Sequence, residues 1–254
     1  MLTDRTSTIE TSLEIVQEER CRTVWERDAF SEFATTVGSF DTSPMNTANS
    51  RTNPLLVGPQ QTDTRKIKHA YQESVMSVPH YEEEYNETLA VNLRAEFGPE
   101  IAATIINNNP VTPQIQRAVT AAATTAQKER IELISTLDTE RIELKAAYRT
   151  LSEVSEMFSL VLNYQLNQQS FGELYYMHQQ LIQGQSQCRE ILHDRQTQRQ
   201  TGHARTRFES VPDLQNYLYQ KLSVTYPILS STLRLYDDLR SGRNQLEYWL
   251  ARCD

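Results

Sequence analysis

The sequence predicts an all-α protein: an elongated antiparallel helical bundle with a coiled-coil-like long helix and a linker-tethered N-terminal helix. Apolar residues recur at steps of three and four residues along most of the chain, which is the spacing of one helix face. Glycine is scarce, with 7 among 254 residues, and good helix formers fill the periodic segments. Pairs of Ser or Thr with Pro separate these segments, as expected of successive helix starts.

We expect three segments along the chain. Residues 1–37 predict an N-terminal amphipathic helix, because apolar residues recur there at helical steps between charged ones. Residues 38–63 are rich in Ser, Thr, Asn, Pro and Gly and predict a flexible linker. Residues 64–254 predict the helical bundle domain. Because the linker is long, the first helix is free to pack on its own chain or on another copy.

The longest helix is predicted from Pro113 to about Gln168, because steps of seven residues give two mainly apolar columns. The first column consists of Ala123, Arg130, Leu137, Leu144, Leu151 and Phe158. The second column consists of Val119, Ala126, Leu133, Glu140, Ala147, Val154 and Val161. This two-column seam, with two charged positions among thirteen, predicts packing within a bundle or coiled coil.

Hydroxyl residues, prolines and a glycine predict where the helices begin and end. A hydroxyl residue stands one or two positions before a proline at four points, which predicts capped helix starts at Ser77, Thr112, Ser210 and Thr225. Gly98 is expected to end one helix, and Pro99 to open the next. A break is predicted over 163–172. Helices are then expected to about Arg199, around 214–222 and over 229–250, with a loop at 201–209 and short connections that imply antiparallel neighbours.

The stretch "SVPHYEEEYNETL" (77–89) combines a histidine with four glutamates. His80 and Glu84 are four residues apart on a predicted helix, so both side chains are candidates to reach one metal ion. The alternative is a helix beginning near Val78, because three acidic residues in its first turns suit the positive end of the helix dipole. We favour this helix start, with an inward stripe that continues to Phe97.

A second metal candidate is the Glu-x-x-His spacing of Glu190 and His193. A carboxylate-bridged di-metal bundle needs two such elements and two further glutamates on facing helices, and the chain has one such spacing. We therefore assign no metal and no cofactor. A metal- or ligand-binding bundle at these residues, or at His80 and Glu84, is the alternative function.

Clustered arginines form a second kind of candidate site at Arg195, Arg199, Arg205 and Arg207. Guanidinium groups hold phosphate through bidentate hydrogen bonds, so a regulator that contacts nucleic acid is the second alternative. However, the net charge is −8, whereas nucleic-acid binders are usually basic, and aromatic interleaving for base stacking is absent apart from Phe208. A solvated helix end is the simpler interpretation.

No nucleophile elbow, phosphate-binding loop, dinucleotide fingerprint or zinc-protease motif occurs in the sequence. The three cysteines, Cys21, Cys188 and Cys253, are far apart and lack metal-ligand spacing, so they are expected to be reduced thiols rather than redox groups. The apolar runs are too short to cross a bilayer and the N-terminus lacks a signal-peptide pattern. We therefore expect no enzyme activity, no membrane segment and a cytoplasmic location.

Five strings together resemble a known family: "ERDAFSEF" (26–33), "SVPHYEEEY" (77–85), "AEFGPEIA" (95–102), "VTPQIQRAV" (111–119) and "YLYQKLSVTYPIL" (217–229). The family is an uncharacterised all-helical domain of unknown function from halophilic archaea. The resemblance covers nearly the whole chain and implies a haloarchaeal cytoplasm. Twenty of the 25 basic residues are arginine, and an acidic, lysine-poor surface suits high salt. The family has no assigned activity, so it implies no functional residue.

The leading functional hypothesis is a non-enzymatic helical interaction or scaffold protein. An apolar seam with no recognisable chemistry beside it favours this interpretation. The expected partner is a protein bound through helix–helix packing, with a second copy of the chain as one option.

Overall fold

The computed structural model of the protein describes residues 6–41, 64–107, 111–202 and 214–253, without the side chains of 198–202. Within those ranges the regular structure is helical and no β-strand occurs, which confirms the all-α prediction. The α-helices are α1 (Ser7–Gly38), α2 (Thr64–Glu73), α3 (Tyr81–Glu84), α4 (Leu89–Ile106), α5 (Pro113–Leu162), α6 (Phe171–Gly202), α7 (Leu214–Leu218) and α8 (Pro227–Leu250).

The predicted break at 163–172 is confirmed, since it contains the 3₁₀ turn Leu166–Gln168 between α5 and α6. The predicted short helix around 214–222 is shorter than expected, because α7 ends at Leu218. Residues 42–63 of the predicted linker lie outside the described residues, as do most of the predicted loop at 201–209 and the start at Ser210. The three-part domain division stays a prediction.

The predicted continuous helix from near Val78 to Phe97 is wrong. Helix α3 is a single turn, and the backbone N–H groups of Tyr85 and Asn86 both donate to the Tyr81 carbonyl, at 2.9 and 3.0 Å. Asn86 then adopts a left-handed φ of 43°, which asparagine tolerates better than most residues and which ends a helix. The chain becomes extended at Thr88 before α4 begins.

Some of the predicted helix starts and stops are confirmed and others are wrong. Gly98 has φ 80° and ψ 166° and interrupts α4 just before Pro99, so the predicted stop and restart are confirmed. Thr112 Oγ1 accepts from the Ile115 backbone N–H at 3.2 Å, as predicted for a cap. The predicted caps at Ser77 and Thr225 are wrong. The positions before α3 and α8 are occupied by His80 and Tyr226, which make no side-chain capping bond.

The long-helix seam is buried as predicted. Eleven of its thirteen positions are buried, and the two others, Arg130 and Leu133, are partly covered. The seam includes one fully apolar stretch around Leu144 and Leu151, which are at most 1% exposed. Apolar burial of this kind contributes about 25 cal/mol per Å² removed from water, so these positions stabilise the packing of α5.

The chain divides into two compact units. Unit 2 is residues 20–136 and contains a core of aromatic rings in edge-to-face and stacked contacts with centroids 5.1–6.2 Å apart, built from Phe30, Phe33, Tyr71 and Phe97. Within this unit α1 runs antiparallel to α5, because Glu26 contacts Arg130 while the carbonyl of Val37 accepts from Gln116. The first helix therefore packs on its own chain.

Unit 1 consists of residues 1–19 and 137–254. Helix α6 runs antiparallel to α5, since Gly184 faces Val154 while Arg195 contacts Glu140. Helix α8 likewise runs antiparallel to α6, as the contacts His178–Glu247, Gln185–Arg243 and Gly184–Leu239 show. From α1, Glu10 accepts a hydrogen bond from Tyr148 at 2.6 Å. An antiparallel bundle is thus present within each unit.

Two glycines permit this close helix packing. A Cβ at Gly242 on α8 would lie 2.7 Å from Cε2 of Phe158, which is 3% exposed. A Cβ at Gly184 on α6 would lie 3.0 Å from Val154 Cγ1. Glycine in a helix interior costs up to about 1 kcal/mol relative to alanine. The two residues therefore reflect steric need rather than helix preference.

We expect Gly242→Ala to lower the free energy of unfolding, because overpacking of about 1–3 kcal/mol exceeds the gain in helix propensity. The matched control is Gly172→Ala in the first turn of α6, where an added Cβ meets nothing within 4 Å, and which should raise stability by less than about 1 kcal/mol. Urea unfolding followed by circular dichroism measures both. Equal stabilisation by the two substitutions would contradict the packing assignment.

Candidate functional site

The first charged position of the seam, Arg130, is the centre of an ion-pair network in unit 2. Its Nη1 and Nη2 donate to both oxygens of Glu96 at 2.9 and 2.7 Å, and its Nε donates to Glu26 at 3.0 Å. Its guanidinium also lies 4.7 Å from the ring centroid of Phe30. The side chains of Arg130, Glu26 and Glu96 are only 13–16% exposed. The arginine is therefore held in place by two carboxylates from two different helices.

His80 is the residue that the sequence singled out, and it belongs to this network. Its side chain is 3% exposed, its Nε2 lies 3.0 Å from Glu26 Oε1, and its ring stacks on Trp25 with centroids 5.9 Å apart. Tyr85 donates to the same Glu26 oxygen at 2.7 Å. The predicted metal partner Glu84 is 3.9 Å from His80 Nε2, farther than Glu26. We call the group Arg130, Glu26, Glu96, His80 and Tyr85 the Arg130 cluster.

The network changes the acidity of its members. Burial raises the pKa of the Glu26 carboxyl, but the charge of Arg130 and the hydrogen bonds that the carboxylate accepts outweigh burial, so its pKa lies below the ordinary value of 4.5. Burial and the Glu26 charge raise the pKa of Tyr85. Glu26 is therefore ionised and Tyr85 protonated near neutral pH. A buried carboxylate that already accepts from three neighbours is poorly suited to act as a general base.

The second charged position of the seam, Glu140, is the centre of a network in unit 1. Arg195 Nη2 donates to both Glu140 oxygens at 2.7 and 2.6 Å, and Tyr219 donates to Oε1 at 2.8 Å. Arg195 also pairs with Glu143. The Glu140 and Arg195 side chains are 7% and 8% exposed. Burial and the Glu140 charge raise the pKa of Tyr219, which keeps its hydroxyl a donor.

The structure describes the side chain of only one of the four candidate phosphate-binding arginines, Arg195, so it does not test whether they form a surface cluster. Arg195 is buried and its guanidinium is taken up by two carboxylates. Arg199 lies on α6, with its side chain outside the described set, and Arg205 and Arg207 lie outside the described residues altogether. Arg195 therefore forms ion pairs inside unit 1 and does not offer its guanidinium to a phosphate at the surface. The sequence did not reveal this, because Glu140 is 55 residues away.

The remaining metal candidates, Glu190 and His193, are both exposed on α6. Over the described ranges, no group of three or more His, Cys, Asp or Glu side chains is arranged to hold a metal ion.

The three cysteines are free thiols. Cys188 is buried, which raises its pKa to about 11, whereas Cys21 and Cys253 are partly exposed.

A surface feature that the sequence reading missed lies at the end of α5 and the start of α6. Residues 157–188, here called the neutral segment, contain a single formal charge, Glu173, although 23% of the chain is charged. Seven large apolar side chains in this segment are 37–66% exposed: Leu160, Leu162, Tyr164, Phe171, Tyr175, Tyr176 and Ile182. Large apolar side chains that face solvent in one stretch of the chain are a candidate interaction surface. A count of charges along the sequence would have found it.

We expect Arg130→Met to lower the free energy of unfolding by about 3–5 kcal/mol, because it leaves two buried carboxylates without a cation. Arg94→Met, at an exposed position on α4, is the control and should change stability by less than about 0.5 kcal/mol. Denaturant unfolding of both variants provides the test. A loss for Arg130→Met no larger than that of the control would show that the network contributes nothing.

Glu26 should also make the stability depend on pH. Because its pKa is lowered in the folded state, its contribution is complete above the unfolded value and is lost as pH falls through the folded value. Glu26→Gln should therefore flatten the fall in unfolding free energy as the pH drops below the ordinary carboxyl pKa of 4.5, whereas Glu82→Gln at an exposed site should not. An unchanged acid limb in Glu26→Gln would contradict the assignment.

Comparison with known proteins gives a family but no activity. No curated protein matches the chain, and no solved structure matches it. No helix in the described ranges is long and apolar enough to span a membrane. Residues 7–243 match the family described as "Domain of unknown function (DUF7260)", which is most of the chain. The chain therefore belongs to this domain-of-unknown-function family, which confirms the uncharacterised family that its sequence resembles.

Proposed function

We propose that this chain is a non-enzymatic interaction or scaffold protein that binds a protein partner through helix–helix packing. The observation that carries the proposal is the neutral segment, where seven large apolar side chains face solvent. Leaving such side chains in water is unfavourable, and covering them contributes about 25 cal/mol per Å². A binding partner would supply that cover.

The placement of the charged side chains supports the same proposal. Buried and half-buried titratable residues of the Arg130 cluster and of the Glu140 network are bonded to one another. His80, the strongest sequence candidate for chemistry, is 3% exposed on its side chain and is bonded to Glu26. Groups arranged in this way stabilise helix packing and offer little access to a substrate.

We also propose a haloarchaeal source and a cytoplasmic location. The net charge of −8 and the ratio of twenty arginines to five lysines support the source, because acidic surfaces remain solvated at high salt. The lack of a spanning helix in the described ranges is consistent with the location. Coiled-coil packing of the α5 seam is part of the same proposal, supported by its seven-residue spacing.

The interaction function can be tested by photo-crosslinking in cells, with a photoreactive amino acid placed at Leu160 or at Tyr176. These side chains are 64% and 66% exposed. Controls carry the same group at Lys145 and Glu153, which are exposed on α5 outside the neutral segment. We expect discrete adducts from the first pair and few from the controls. No adduct at any position, or equal adducts at all four, would overturn the proposed function.

A further inference from the structure

We draw no further inference here: the strongest candidate, the groove between α1 and α2 of unit 2 that is lined by the exposed side chains of Glu32, Lys66 and Glu73, presents charges of both signs to solvent, and nothing in the structure shows which class of ligand would occupy it.

Discussion

The structure depends on neutralising two charges in an otherwise apolar seam. Arg130 and Glu140 occupy seam positions of α5, and each is covered by neighbouring helices. An isolated charge in such a place would cost several kcal/mol, so its partners must lie within bonding distance. Glu26 and Glu96 meet this need in unit 2, and Arg195 meets it in unit 1.

This requirement also sets the register of the helices. A purely apolar seam tolerates a slip of one heptad with modest loss, whereas a slip that separates Arg195 from Glu140 leaves both charges buried and unpaired. The glycines also fix this register, by steric fit. The ring of Phe158 has room only because the facing residue, Gly242, has no side chain. Electrostatic and steric constraints thus select the same antiparallel arrangement in unit 1.

How much of the fold and of the candidate site can be predicted depends on how far apart in the sequence the interacting residues lie. The α5 seam was visible in the sequence because it depends on spacing along one helix. The ion networks were not, because Arg130 and Glu140 were counted as interruptions and their partners lie 104 and 55 residues away. His80 and Glu84 are close enough in the sequence to suggest a candidate metal pair, whereas Glu26, which lies closer to His80 than Glu84 does, is 54 residues away. The end of α3 depends on Asn86, whose backbone conformation is left-handed. The acidic residues and the helical spacing around it predict instead that the helix continues.

Unit 1 is assembled from two stretches separated by more than a hundred residues, because the beginning of α1 packs with the chain after Thr136. Ile9, Ser12 and Val16 are fully buried there. No continuous fragment that starts at Thr64 can therefore reproduce this unit, since the cavity vacated by these side chains would be open to water. During synthesis on the ribosome, Glu10 cannot meet Tyr148 until more than a hundred further residues have emerged, because 138 positions separate the two.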